Sequence, residues 1–291
     1  MRGRLEHWWR SLESRSGPIA AWPVLAVLLA LGADLNRASG WPAPGVPRTG
    51  QVVSLLSFLP DPLLRADWLY RGAQVAFIAG SILWLARVAL PFSSWTAAAS
   101  LLVVQCLLQE SRAYCSHSGH LLVQAVFVFA LFTHFDREAL RSAPRGAGFW
   151  RSPLVPRWLW AALAWLVAWF YTLAGWTKLQ DSGLGWADGL SLQLYITALA
   201  PQPDSPAASL MLESRTIAQL TQLGTLACEC LALPALLFAP IRVLVGLSLV
   251  SFHVGQQLVF GYPFYANMTL VALVFLPIVP ALERRHGRSS D

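Results

Sequence analysis

The chain has 291 residues, of which 56% are hydrophobic and only 12% charged, with a mean hydropathy of +0.51. That leaves too little polar surface to clothe a water-soluble globule of this length, and it places the chain in a lipid bilayer. The formal net charge of +6 does not mark a nucleic-acid binder, because the basic residues are scattered between apolar runs rather than gathered on one domain.

Runs of about 20 largely apolar residues, the length a membrane helix requires, occur at roughly 18–35, 70–90, 93–109, 118–135, 158–178, 216–238, 243–260 and 264–282. They predict an all-α polytopic bundle of about eight transmembrane helices with short interfacial helices. A segment 1–17 precedes the transmembrane domain 18–282, and a tail 283–291 follows it. Arg2, Arg4, Arg10 and Arg15 ahead of the first run imitate a signal peptide. No small-residue cleavage site follows, so the run reads as an uncleaved span.

Threaded through eight spans, roughly two-thirds of the 21 basic residues fall on the side of the N-terminus. Cytoplasmic loops carry the Lys/Arg excess, so both termini are expected in the cytoplasm of a cell (inner) membrane, with Lys178 toward the outer face. The outer segments 36–69 and 180–215 are too long for turns. The second carries Trp186, Leu190, Leu192, Leu194 and Tyr195, and both read as short helices at the interface or folded back as a roof over a cavity.

The ionisable residues inside these runs are the informative ones. Lys178 is the only lysine, every other basic residue being arginine. Guanidinium is always charged, whereas a buried amine can act as a base, so lysine is of use chiefly where titration matters. Tyr171, Ala174, Gly175 and Lys178 share a helical face, with small residues beneath the lysine stem. Glu229, mid-span between Cys228 and Cys230, must face the interior, stay neutral or find a partner. His253 lies on one face with Gln256 or Gln257 and approaches Tyr265, which predicts a lined cavity. His117 and His120 are one turn apart at the start of the fourth run, but nothing offers a third ligand, so no metal is expected. Cys228 and Cys230 point about 200° apart on a helix and read as packing residues.

Tyr171-Thr-Leu-Ala-Gly175-Trp-Thr-Lys178-Leu179, followed by Gly185-Trp186-Ala-Asp-Gly189, resembles the Ala-Gly-x-x-Lys-Leu and Trp-x-x-Gly segments of vitamin K-dependent γ-carboxylases and the related horizontally transferred transmembrane (HTTM) proteins. Glu229 with the downstream Arg242, and Phe252-His253-x-x-Gln256 with Gly261-Tyr-Pro-Phe264-Tyr265, are similar to further pieces of that family in the same order. The resemblance implies an enzyme in which Lys178 deprotonates a reduced naphthoquinone, menaquinol or vitamin K hydroquinone, that then reacts with dioxygen. His117 or His120 would assist, and Tyr171, Glu229, His253, Gln256 and Tyr265 would hold the cofactor.

The carboxylases carry a large extramembrane domain after their spans, whereas this sequence ends at Asp291 soon after its last run. Carboxylation of a secreted peptide is therefore expected to need a separate extramembrane subunit. The other expectation is a non-catalytic membrane factor for maturation or export of a secreted peptide or toxin.

Overall fold

The computed structural model describes residues 21–38, 55–56, 58–64, 66–111, 119–137, 157–200, 205–261 and 264–276. Among them every regular element is helical. The calls on segments 1–17 and 283–291, and the one on His117, lie outside the described residues. The helices fall into two compact units, with the boundary between Leu159 and Trp160.

The first unit contains α1 (Ala21–Ala38), the short α2 (Asp61–Leu64), α3 (Asp67–Leu85), α4 (Phe92–Ser111) and α5 (His120–Phe135). α3 and α4 form a hairpin, α4 packs on α5, and α1 lies against α3 and α5. The hairpin closes tightly because Gly80 has no side chain: a Cβ there would sit 2.9 Å from the Ala97 backbone nitrogen. Trp84, fully buried, donates its indole N–H to Thr133 at 2.9 Å, which ties α3 to α5 and satisfies the polar atom that a buried tryptophan carries.

α6 (Arg157–Ser182) begins at the boundary and runs into the second unit. There follow a 3-10 turn (Gly183–Ala187), α7 (Leu190–Leu199), α8 (Pro206–Glu213), α9 (Arg215–Ala235), α10 (Ala239–Phe260) and α11 (Tyr265–Phe275). α9 packs on α10 and α10 on α11, while α7 and α8 lie across α9 and α10. Ser205 and Ser214 accept the first free amides of α8 and α9, and Gly261 ends α10 in the left-handed region at φ 69°.

Outward stripes on these helices are apolar. On α6, Trp165, Trp169, Leu173 and Trp176 recur at helical spacing and are exposed, while Val167, Ala168, Tyr171 and Gly175 on the other face are buried. In water such a stripe is a liability; against lipid tails it is the solvated face. Among the described residues three helical stretches are long and apolar enough to cross a membrane, Phe92–Gln109, Trp158–Ala187 and Ala239–Phe260, with shorter apolar helices at Trp22–Asp34, His120–Phe135 and Tyr265–Phe275. The described residues are those of an all-helical membrane protein. Among the described residues each of the eight apolar runs read from the sequence overlaps a helix, three of them of spanning length.

Candidate functional site

The site is built where α6 crosses α9. Gly175 permits the crossing, because a Cβ there would meet the Cys230 backbone nitrogen, Cys230 Sγ and Glu229 Cβ, each at 2.9 Å. One turn further along α6, Lys178 therefore arrives above Glu229. Its Nζ donates to both carboxylate oxygens, at 2.6 Å to Oε1 and 2.5 Å to Oε2. The carboxylate side chain is 4% exposed and the lysine 24%. Glu229 thus finds a charged partner, and Lys178 is a paired amine, not a bare one in an apolar pocket. A second tie fixes the crossing: the Leu233 amide donates to Thr172 Oγ1 at 3.0 Å, beside Pro234, which has no N–H to extend the helical ladder.

The segment after α6 caps the lysine. Lys178 Nζ lies 4.9 Å from the ring centroid of Trp186, in cation–π range. Trp186 is held there by Gln222 on α9, whose amide accepts from Gly189 N at 2.8 Å and donates to the Trp186 carbonyl at 2.7 Å. Gly189 is required at this turn: its φ is 79°, and a Cβ would stand 2.5 Å from the Arg215 carbonyl. Arg215 donates to the Asp188 carbonyl, and the Asp188 carboxylate accepts from the Ser191 amide and hydroxyl at 2.9 and 2.8 Å. Those hydrogen bonds, with the charge of Arg215 added, hold the Asp188 carboxyl below its ordinary value.

α7 and α8 complete a cavity of about 700 Å³ between themselves, α9 and α10, with Lys178 and Trp186 at its border. Leu192, Leu220, Leu249 and Phe260 supply apolar wall, and Thr225, Ser251 and Gln256 supply polar points. The volume lies within the range of small-molecule sites, and one cationic end on an otherwise apolar chamber suits a lipid-soluble ring compound with polar oxygens. The donor set therefore fits a naphthoquinol.

The remaining expected site residues divide. Behind Gln256, His253 Nδ1 meets the Gln256 amide oxygen at 3.1 Å and His253 Nε2 meets the Tyr171 hydroxyl at 2.5 Å. Tyr265 instead accepts from Gln257 at 3.0 Å and is half exposed. His120 lies in the first unit, 3.3 Å from Gln109 Nε2. Among the described residues no cluster of three or more His, Cys, Asp or Glu side chains could hold a metal. Sequence reasoning missed Gln222, Thr172, Asp188 and Asn267. The first two are polar residues inside apolar helices, which is the signal that would have found them.

A family model, the HTTM domain, matches residues 102–278, more than half of the chain. The chain belongs to the HTTM family. The HTTM domain is associated with the membrane part of vitamin K-dependent carboxylases, and the matched region takes in Lys178, Glu229, His253 and Gln256. No curated protein and no solved structure matches the chain.

Proposed function

We propose that this HTTM protein is a membrane-embedded, carboxylase-like enzyme that uses a reduced naphthoquinone, with Lys178 as general base. The Lys178–Glu229 pair at the edge of an apolar cavity carries this reading. Two of the three ammonium hydrogens are engaged by Glu229, and the remaining side of the amine faces the Trp186 ring and the chamber. Passage of one ammonium proton to Glu229 frees the amine lone pair. That lone pair then takes the hydroxyl proton of the quinol, forming an N–H bond as the O–H bond breaks. A hydroquinone held in the chamber would, with dioxygen, supply the strong base that a carboxylase-like reaction requires. The chain's own residues bind the ring, exclude water from it and hold that proton.

The accepting substrate in this reading is a secreted peptide or is carried by a separate extramembrane subunit. All eight apolar helices span the inner membrane, and both termini are cytoplasmic. The match of helices to apolar runs and the arginine bias support that topology.

Lys178→Arg tests the chemistry. Arginine keeps a positive partner for Glu229 but does not deprotonate. In proteoliposomes supplied with menaquinol and oxygen, the substitution should lower quinol consumption by about 100-fold or more while the unfolding temperature holds. An arginine variant that consumes quinol as fast as the parent would sink Lys178 as the base, and a parent that consumes none would sink the enzyme reading in favour of a maturation factor.

A further inference from the structure

Behind the cavity, polar side chains from three helices gather in one line. Asn267 on α11, 2% exposed, lies within interaction range of the Tyr171 hydroxyl. Tyr171 meets His253 Nε2, and His253 Nδ1 meets the Gln256 amide, which borders the cavity. Phe264 stacks on the imidazole, centroids 5.1 Å apart, and fixes its plane. No charge is committed to the line, since Glu229, the nearby carboxylate, is taken by Lys178.

In the observed arrangement the Gln256 oxygen can only accept, so Nδ1 carries the ring proton and Nε2 accepts from Tyr171. Gln256 then turns its NH₂ group to the cavity. The Asn267 Oδ1 atom is buried with no hydrogen-bond partner among the described residues. Reversing every bond supplies one: Tyr171 rotates its hydrogen onto Oδ1 and accepts from Nε2–H, and Nδ1 accepts from the Gln256 nitrogen. Gln256 then turns its oxygen to the cavity. The change needs two amide flips and one tautomer exchange, in which Nε2 takes a proton from water and Nδ1 returns one to water.

We propose that Asn267, Tyr171, His253 and Gln256 form a reversible pole. It offers the cavity a donor for a carbonyl oxygen or an acceptor for a hydroxyl, so that oxidised and reduced forms of one ring compound bind at the same spot. The proposal rests on the reading that places a quinol in this cavity. Gln256 is the contacting residue; Tyr171, His253 and Asn267 are positioning residues.

The test is isothermal titration of the full chain in nanodiscs, against protein-free nanodiscs, with three probes: 2-methyl-1,4-naphthoquinone, 1-naphthol and 2-methylnaphthalene. The parent should bind the quinone and the naphthol each about 2- to 10-fold more tightly than the hydrocarbon, the worth of one hydrogen bond. Tyr171→Phe leaves Nε2 without a donor or an acceptor. A buried orphan N–H is the worse outcome, so the ring keeps its proton on Nδ1. The quinone preference should survive and the naphthol preference should fall, because only the weakly accepting phenol oxygen then meets the Gln256 NH₂ group. Gln256→Leu, with Gln256→Met as a second variant should the first fail to fold, should erase both preferences. Equal losses for both probes in Tyr171→Phe, or hydrocarbon binding as tight as quinone binding in the parent, would overturn the pole while leaving the cavity standing. Absence of binding by all three probes would overturn the cavity reading and the pole with it.

Discussion

Removing the lysine should cost more than removing its partner, and removing both should cost least. Lys178→Met strands a carboxylate that is 4% exposed and has lost both of its N–H donors. Breaking a buried pair from one side costs about 3–5 kcal/mol. Glu229→Gln leaves an ammonium that is 24% exposed, beside Trp186 and the cavity, and still able to bond the amide oxygen. Its cost should be about 1.5–3 kcal/mol, that of a charge-assisted hydrogen bond. Lys178→Met combined with Glu229→Leu removes both desolvated charges and should be close to neutral. Taken at roughly 2–4 °C per kcal/mol, Lys178→Met should lower the unfolding temperature in detergent by about 10 °C, and the double variant should recover most of it. The assay is thermal unfolding followed by size-exclusion chromatography on the parent, the single variants and the double. If the effects of Lys178→Met and of Glu229→Leu made alone simply add in the double, within about 0.5 kcal/mol, the pair contributes no coupling and the reasoning is wrong.

Gly175→Ala forces a methyl against the Cys230 backbone, and overpacking of this kind costs about 1–3 kcal/mol. It should also part Lys178 from Glu229, giving a loss of quinol turnover beyond the loss of stability. Gly189→Ala sets a side chain at φ 79° against the Arg215 carbonyl, a strain of about 1–3 kcal/mol. Limited proteolysis should then cut the 183–189 turn faster in the variant, and an unchanged cutting rate would count against the pinned turn. Asp188 has its carboxyl held low in the fold, so its contribution is present above the unfolded-state value and is lost as pH falls through the folded one. Hydrogen exchange across 183–191 should accelerate below the ordinary carboxylate range in the parent. Asp188→Asn should already exchange fast at neutral pH, and a parent indifferent to acid would refute the cap.

The sequence by itself determined the solvent and the secondary structure. Apolar runs of spanning length with few charges have no stable form in lipid except the helix, since every backbone N–H and C=O must be satisfied within the segment. That is why the apolar runs overlap helices among the described residues without any tertiary information. Lys178 stood out for the same kind of reason, as a solitary amine among arginines, and Gly175 for its place on the lysine face. Glu229 announced that it needed a partner but could not name it. The partner lies 51 positions away, and only the close crossing at Gly175 brings the two side chains together. Gln222 reads as an ordinary polar residue in α9 until the fold sets it between Trp186 and Gly189. Tyr171, His253 and Asn267 lie on three helices, and no periodicity within one helix reports a hydrogen bond to another. Composition and local pattern fix what each segment does with its own backbone; the meeting of side chains is decided by helix packing, which depends on where the small residues let two axes approach.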